Sequence, residues 1–298
     1  MRGHTIAGAG LVTLVLLLAA TPASAQVDLS GEWMAIHTVS EEGMYRVMPG
    51  SELGNYAGVP LNEAGRLKAT SWDASILSQP EEQTKPHPVQ YSVRSGGGPN
   101  LRISKIVEPL TAKLIAYTFT GFYGRADRTI WMDGRPHPSP LAEHTFDGFS
   151  TGEWVGPVLK VTTTHMKMGY LQRNGIPSSP KATMVEFWTR HDTHLGVFAW
   201  YDDPTYLYEP FVRTTDWVWG ADQHVGPAIP FESVDELGNK PLGWVPHWPL
   251  GTAHDEFAKR YNLPFEGTQG APGTMYPEYV KKIEEWRRQQ APSAPASR

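Results

Sequence analysis

Short runs of alternating apolar and polar residues dominate the chain from residue 32 onward. Val, Ile, Thr, Tyr, Phe and Trp fill these runs and Gly, Pro, Asn and Asp separate them, which is the pattern of strands joined by turns. The pattern predicts about eleven strands. They are Glu32–Val39, Met44–Met48, Val89–Arg94, Leu101–Val107, Ala112–Gly121, Arg125–Asp133, His144–Val155, Val158–Met166, Ala182–His191, Gly196–Asp202 and Pro210–Trp219.

Short connections between these runs predict antiparallel pairing. Only Gly156 and Pro157 separate one pair of runs, and residues 192–195 separate another. Parallel neighbours need roughly a dozen or more linking residues, and most of the connections between the predicted strands are shorter than that. The fold class is therefore all-β and mainly antiparallel. We expect a lipocalin-like closed or nearly closed β-barrel of about 8–11 strands, with a two-sheet sandwich as the alternative, because both arrangements protect sheet edges.

Three segments have apolar residues at helical spacing. Leu61–Trp72 is one, and Thr252 with Asp255 resembles a capping box before the apolar Phe257. The third carries a helical stripe formed by Tyr276, Val280, Ile283 and Trp286. We expect peripheral helices and a C-terminal helical extension that packs on the barrel.

The first 25 residues have the pattern of a secretory signal peptide. Arg2 and His4 precede the mostly apolar run Ile6–Ala20, and Ala23-Ser24-Ala25 supplies a small-residue cleavage site. The run is shorter than the roughly 20 residues that a membrane span needs, and no later stretch is long and apolar enough to cross a bilayer. We expect cleavage near Ala25, a periplasmic or extracellular product, a barrel domain over residues 26–219, and an irregular linker with helices over residues 220–298.

Composition narrows the classes of function. The 298 residues include 26 Lys plus Arg and 31 Asp plus Glu, and the net charge of −5 without a basic block argues against nucleic-acid binding. The chain has no Cys, which excludes disulfides, thiolate metal sites and Cys nucleophiles. Eleven Trp and a 40% share of hydrophobic residues can fill a large core. The fold must therefore be stabilised by its core alone.

Imidazole and carboxylate groups are the candidates for acid–base catalysis. Alternation along its predicted strand places His165 at the rim of the core, where a general base could work. His144 and Asp147 lie on opposite strand faces unless Gly148 bends the chain, and Glu186 could also orient an imidazole. A core role for these histidines is the alternative. The sequence lacks the zinc-protease and phosphate-loop motifs, and we expect neither serine-hydrolase chemistry nor a cofactor or metal.

Aromatic and basic residues in the predicted strands are candidates for substrate binding. Arg128 or Arg190 would hold an anionic group, and Arg190 shares a strand face with Glu186 and Trp188. The expected pocket walls are Tyr117, Trp131, Trp188 and Tyr170. A barrel mouth lined by aromatics with a few polar groups is typical of a small-ligand site. We expect a small hydrophobic or aromatic ligand, although core packing alone could use the same aromatic residues.

The segment His191-Asp192-Thr193-His194 has the residue types of a metal site but falls at a hairpin tip. Without helical spacing or a third ligand, exposed turn polarity is the better interpretation.

Several segments resemble an uncharacterised family of secreted β-rich proteins from soil and marine bacteria. They are Asp127–Pro138, His144–Phe146, Gly148–Trp154, Thr163–His165, Gly169–Gly175, His254–Ala258 and Thr274–Tyr279. The resemblance implies matching positions at His144, His165, Tyr170, Arg173, Asn174, Glu186 and His191. Thr84 stands where relatives carry Cys, and Pro157 stands where they carry an acidic residue. In addition, Gly31-Glu32-Trp33 resembles the Gly-x-Trp opening of lipocalin-like barrels, which implies a Trp plugging one barrel end.

These observations lead to three hypotheses about function. The first is a cofactor-independent lyase or isomerase that acts on a small aromatic or terpenoid-like molecule, with His144 and His165 as acid and base. It requires the catalytic side chains to converge on one cavity. The second is a non-catalytic lipocalin-like protein that binds a small ligand. The third is a carbohydrate-active β-sandwich with an exposed row of Trp.

Overall fold

The computed structural model describes residues 27–36, 52–56, 58–72, 84–93, 100–121, 128–172, 174–222, 225, 239–241, 244 and 254–290. The predicted signal peptide, the predicted strand Met44–Met48 and Arg173 lie outside the described residues. Among the described parts, no helix combines the length and the apolar character that a membrane crossing requires.

Nine strands form a closed barrel, which confirms the predicted fold class and excludes the two-sheet sandwich. Its strands are β1 (Gly31–Ala35), β2 (Leu101–Val107), β3 (Leu114–Thr120), β4 (Arg128–Trp131), β5 (Phe149–Val155), β6 (Val158–Thr164), β9 (Thr183–His191), β10 (His194–Asp202) and β11 (Phe211–Trp219). Around the barrel the order is β1, β11, β10, β9, β6, β5, β4, β3 and β2. Closure leaves none of these nine strands with a free edge.

One neighbouring pair in the barrel is parallel, which differs from the expected antiparallel connections. Ile130 of β4 is in register with Ser150 of β5, and the two strands run in the same direction. Their connection is the long segment 132–148, part of which was predicted to be strand from His144 onward. Pro136 and Pro138 lack the N–H that a strand ladder requires, and the segment crosses the barrel as an irregular crossover.

Alternation explains how the barrel strands bury their apolar residues. In β6, Leu159, Val161 and Thr163 are fully buried, whereas the residues between them are partly exposed. The inward side chains of the nine strands form a barrel cluster, which consists of Leu29, Trp33, Ala35, Leu101, Ile103, Tyr117, Phe119, Ile130, Leu159, Val161, Trp188, Leu195, Val197 and Trp217.

A second apolar cluster closes one end of the barrel. This end cluster combines inward residues of β9, β10 and β11 with residues from the surrounding loops, and it consists of Tyr56, Val59, Leu61, Ala69, Val89, Met166, Leu171, Ile176, Ala182, Met184, Ala199, Tyr201, Leu207 and Phe211. Buried polar groups support it. Asp203 accepts bonds from the Ser179 backbone N–H and hydroxyl, both at 2.7 Å, and the Tyr201 hydroxyl donates to Ser178 at 2.6 Å.

Two local predictions of strand structure need correction. The segment Val89–Val93 is a 3-10 helix, in which Val89 and Tyr91 are buried. Two short strands, β7 (Gly169–Tyr170) and β8 (Pro177–Ser178), form a separate two-stranded sheet that was not predicted. Each is only two residues long, so it carries no detectable alternation.

Helices lie outside the barrel, as predicted. Helix α1 (Glu63–Thr70) is capped by the Asn62 side chain, which accepts from the Gly65 N–H at 2.8 Å. Helix α2 (Glu256–Arg260) follows Asp255, whose side chain makes no capping bond, and Thr252 of the predicted capping box lies outside the described residues. Helix α3 (Glu278–Gln290) does not bury the whole predicted stripe, because Tyr276 lies before the helix and both Tyr276 and Val280 are exposed. Its inner face is formed by the buried Tyr279 with the partly buried Ile283 and Trp286.

The C-terminal segment contacts the loop that follows β1 in the sequence. The Phe257 N–H donates to the Leu53 carbonyl at 3.1 Å, and the Gly58 N–H donates to the Thr274 hydroxyl at 3.0 Å. Arg260 pairs with Glu52 at 2.9 Å. These contacts join residues 52–60 to the C-terminal helices.

Candidate functional site

A fully buried ion pair spans the inside of the barrel. Arg128 of β4 donates to both carboxylate oxygens of Glu186 on β9, at 3.1 and 2.5 Å. The guanidinium also donates to the hydroxyls of Ser150 at 3.3 Å and Thr163 at 2.8 Å, which are 2.9 Å from each other. All four side chains point inward because they share the strand faces of buried apolar neighbours. Each guanidinium nitrogen of Arg128 therefore has an acceptor, and we call Arg128, Glu186, Ser150 and Thr163 the polar belt.

The polar belt lies between the two apolar clusters. Along β9, Met184 belongs to the end cluster and Trp188 to the barrel cluster, with Glu186 between them. On β10, Ala199 of the end cluster and Val197 of the barrel cluster are likewise adjacent on the inner face. The ion pair therefore separates the closed end of the barrel from its central core.

Next to this belt, the inner wall of β11 carries the Arg213 guanidinium, which forms no ion pair with the described residues. Arg213 faces inward, because Phe211 and Trp217 on the same face are buried and Val212 and Thr214 between them are exposed. Unlike these buried neighbours on its face, Arg213 is only partly buried. Within the described residues, no carboxylate lies within ion-pair distance of Arg213. The Phe211 ring lies beside it, with its centroid 5.7 Å from the guanidinium carbon. Burial lowers the pKa of Arg213 below its usual value.

Further hydrogen-bond donors without partners lie in the same part of the wall. Register places Arg213 opposite Ala199 and Ala199 opposite Glu186. Two residues further along β11, Thr215 is opposite Val197, and Val197 is opposite Trp188. The Trp188 indole N–H is buried without a hydrogen-bond partner among the described residues. Arg213, Thr215 and Trp188 thus lie around the small side chains of Val197 and Ala199. We call these five residues the inner-wall patch.

Arg190, predicted to hold a substrate anion, instead caps the opposite end of the barrel. Its guanidinium donates to the backbone carbonyls of Asp28 and Asp192, at 2.5 and 2.9 Å. It lies 5.1 Å from the ring of Trp33 and 5.2 Å from that of Trp219. Trp33 is fully buried and donates to the Leu29 carbonyl, so it fills this end of the barrel as its Gly-x-Trp position implied.

The predicted acid–base histidines lie on the outer face of the barrel. The rings of His144 and His165 are 5.2 Å apart, next to Thr164, which alternates with the inward-facing Thr163. His165 follows the end of β6 and has a φ of +56°, which turns the chain out of the strand. The strand alternation that would have placed its ring at the core rim therefore no longer applies.

A third histidine joins this outer imidazole cluster. His137 lies 2.8 Å from the Thr151 hydroxyl and 2.7 Å from the Thr164 hydroxyl. Thr164 is also 2.7 Å from His165 Nδ1, and His165 Nε2 donates to the Ser139 carbonyl at 2.9 Å. Because a carbonyl only accepts, neutral rings give one direction to the chain: Thr151 donates to His137, His137 to Thr164, Thr164 to His165, and His165 to the carbonyl.

The structure brings the imidazoles of His144 and His165 together on one face of the barrel, but it does not bring the Glu186 carboxylate to them. Glu186 lies inside the barrel and is held by Arg128, whereas His144 and His165 lie outside, and His144 binds the Met166 carbonyl at 3.0 Å. Asp147 lies in the bend before β5, where Gly148 has a φ of +64°. The requirement for one convergent cavity is not met.

Only two of the predicted aromatic wall residues lie inside the barrel. Trp188 is buried, stacks on Trp217 with ring centroids 5.6 Å apart, and meets Phe119 edge to face. Tyr117 is also buried, and burial raises its pKa to about 12. Trp131 lies on the outer face with Arg135 at 3.4 Å, and Tyr170 belongs to the separate small sheet.

A serine-hydrolase spacing is present that the sequence reasoning missed. Gly148-Phe149-Ser150-Thr151-Gly152 matches G-x-S-x-G, yet a nucleophile elbow requires a sharp turn between a strand and a helix. Here Ser150 is within β5, and its hydroxyl contacts Arg128 and Thr163 rather than an imidazole. Ser150 of this motif therefore belongs to the polar belt. The motif gives no reason to expect serine-hydrolase chemistry.

Two residues with unusual surroundings were not singled out from the sequence. Arg213 occupies an inward position of its strand, and a signal for it exists in the alternation of residues 211–219. His137 lies between Pro136 and Pro138, and no local pattern predicts its contact with β5 and β6.

Metal binding has no candidate in the described residues, where no group of three or more His, Asp or Glu side chains is arranged to hold an ion. His191 and Asp192 are exposed at the hairpin tip, in agreement with the interpretation as turn polarity.

Comparisons with protein families, with curated proteins and with solved structures found no match to this chain.

Proposed function

We propose that the protein is an exported, lipocalin-like binding protein that holds a small hydrophobic or aromatic ligand against the inner wall of its barrel. The observation that supports this proposal most directly is the inner-wall patch, where the buried Trp188 N–H has no partner. A buried donor without a partner costs about 1–3 kcal/mol, and a bound ligand can supply the missing acceptor. Export is proposed from the pattern of residues 1–25.

Exposure along the inner wall also supports a ligand site. Arg213 and Thr215 face inward yet are partly exposed, whereas Phe211 and Trp217 on the same face are only 5% and 2% exposed. An inward side chain keeps such exposure only where the interior is not filled by neighbouring side chains. The small Ala199 lies between Arg213 and Glu186 in the register of the strands, and the rings of Trp188 and Trp217 supply an apolar surface.

Binding accounts for these positions better than proton-transfer catalysis does. A general base must contact the substrate, but Glu186 is only 3% exposed and its carboxylate is bound to Arg128. The Nδ1 of His144 and both nitrogens of His165 are also bonded, on the outer face. A lyase or isomerase active site in the barrel would have to work without these groups.

Fluorescence of a neutral apolar dye, N-phenylnaphthylamine, tests this proposal. The purified protein should bind the dye with a micromolar Kd, and Ala199→Met should weaken binding about tenfold by filling the inner wall. Trp200→Leu is the matched control, because Trp200 lies next to Ala199 in β10 but faces outward and is 44% exposed. Equal losses in the two variants would place the dye outside the barrel, and no binding to the wild-type chain would refute the proposal. Circular dichroism would confirm that both variants are folded.

A further inference from the structure

Arg213 carries a positive charge on the inner wall of the barrel, and no carboxylate of the described residues pairs with it. Arg128, the other inward arginine beside the patch, has both oxygens of Glu186 and two hydroxyls as acceptors. Arg213 has no hydrogen bond and no ion pair with the described residues, and its desolvation is reflected in a lowered pKa. Placing a charged group away from water without a partner is unfavourable, so inward arginines are normally paired.

Glu186 does not supply the missing partner. The two residues lie on β11 and β9 with β10 between them, which separates their backbones by roughly 10 Å. The carboxylate is already engaged with Arg128. The anion that would neutralise Arg213 must therefore come from outside the described part of the chain.

We propose that the barrel ligand carries a carboxylate or an equivalent monoanionic group that binds Arg213. This inference rests on the proposed ligand-binding function and specifies its ligand class as apolar organic acids. A guanidinium presents two parallel N–H groups that match a carboxylate. Thr215, two residues further along β11, adds a hydroxyl, and the Trp188 N–H adds another donor.

A single negative charge fits this patch better than a dianion does. Arg213 is the one cation of the patch, and Glu186 places a carboxylate on the same wall, two strands away. A phosphate monoester at neutral pH carries nearly two charges and three acceptor oxygens, which would leave charge unbalanced. The apolar remainder of the ligand would contact the stacked Trp188 and Trp217 rings.

The test compares two dyes with the same aromatic skeleton. Anilinonaphthalene sulfonate is a monoanion, and N-phenylnaphthylamine lacks the charged group. We expect the wild-type chain to bind the anionic dye about tenfold more tightly, and Arg213→Gln to remove this preference while changing the Kd of the neutral dye less than about twofold. Arg288→Gln is the control, because it removes the same charge from the exposed side of helix α3.

The outcomes separate this inference from the proposed function. If neither dye binds the wild-type chain, the ligand-binding function itself is refuted. If the neutral dye binds as proposed but the two dyes have equal affinity, or if Arg288→Gln lowers the affinity of the anionic dye as much as Arg213→Gln does, only the assignment of the anion to Arg213 fails. Displacement of the anionic dye by dodecanoate but not by dodecanol would extend the support to carboxylates. Displacement by both would overturn the carboxylate preference.

Discussion

The buried pair of Arg128 and Glu186 gives the most direct prediction at the scale of single residues. Glu186→Leu leaves the guanidinium buried with only two hydroxyl acceptors, and we expect the free energy of unfolding to fall by about 3–5 kcal/mol. The double variant Arg128→Met with Glu186→Leu removes both charges and should recover most of that loss. Urea denaturation measures both effects. If the double variant were as unstable as the single one, desolvation of the charge would not be the cause.

Strand alternation predicted several inner side chains but not their partners. Alternation predicts that Met184, Glu186, Trp188 and Arg190 share one face of their strand, and the structure turns that face inward, which the sequence left open. That Glu186 pairs with Arg128 could not be predicted, because the contact joins strands from distant parts of the chain. His165 was placed on the wrong face, since its left-handed φ ends the alternation one residue after β6.

The crossover segment 132–148 carries His137 and His144 of the outer imidazole cluster, and the attachment of this segment to the barrel should depend on pH. Burial, followed by the charge of nearby His165, lowers the pKa of His137 below its ordinary value of 6.5. Because the pKa of His137 is lower in the folded state than in the unfolded state, the unfolded state binds the proton first as the pH drops. The free energy of unfolding should therefore fall below about pH 6.5. At higher pH the His137 ring is neutral and keeps its hydrogen bonds to Thr151 and Thr164.

Urea unfolding at about pH 7.5 and about pH 5.5 checks this prediction. Wild-type protein should lose stability between the two values, and His137→Gln should reduce that loss because it removes the titrating ring. His191→Gln is the control, since His191 is exposed at the hairpin tip. An unchanged pH dependence in His137→Gln would show that other groups cause it.

Elements with strong alternation were predicted well, and elements defined by long-range pairing were not. The strands β6, β9 and β10 lie within or close to their predicted bounds because each alternates over at least seven residues. Pairing between β4 and β5 depends on where segment 132–148 crosses the barrel, which no local pattern determines. The 3-10 helix at Val89–Val93 has β-branched and aromatic residues, and its burial in the end cluster overrides that preference.

At the scale of the whole molecule, the N-terminal strand closes the barrel. Strand β1 pairs with β11 on one side and with β2 on the other, and it begins five residues after Gln26. A chain that starts at Gln26 should therefore unfold at the same urea concentration as the complete chain. A chain that starts at residue 37 lacks β1, exposes the edges of β2 and β11, and should aggregate. Size-exclusion chromatography distinguishes these outcomes, and mass spectrometry of exported protein would identify the cleavage site.

Pairing of Trp33 with Trp219 also has a consequence for the order of events during synthesis. The barrel cannot close until β11 has been made, and the loop-closure entropy for so distant a contact is of the order of 4–5 kcal/mol. Folds dominated by such non-local contacts fold slowly, over milliseconds to seconds. In the export that we propose, slow closure would keep the nascent chain in an unfolded form that a translocation channel can thread, so the topology that stabilises the barrel would also favour export.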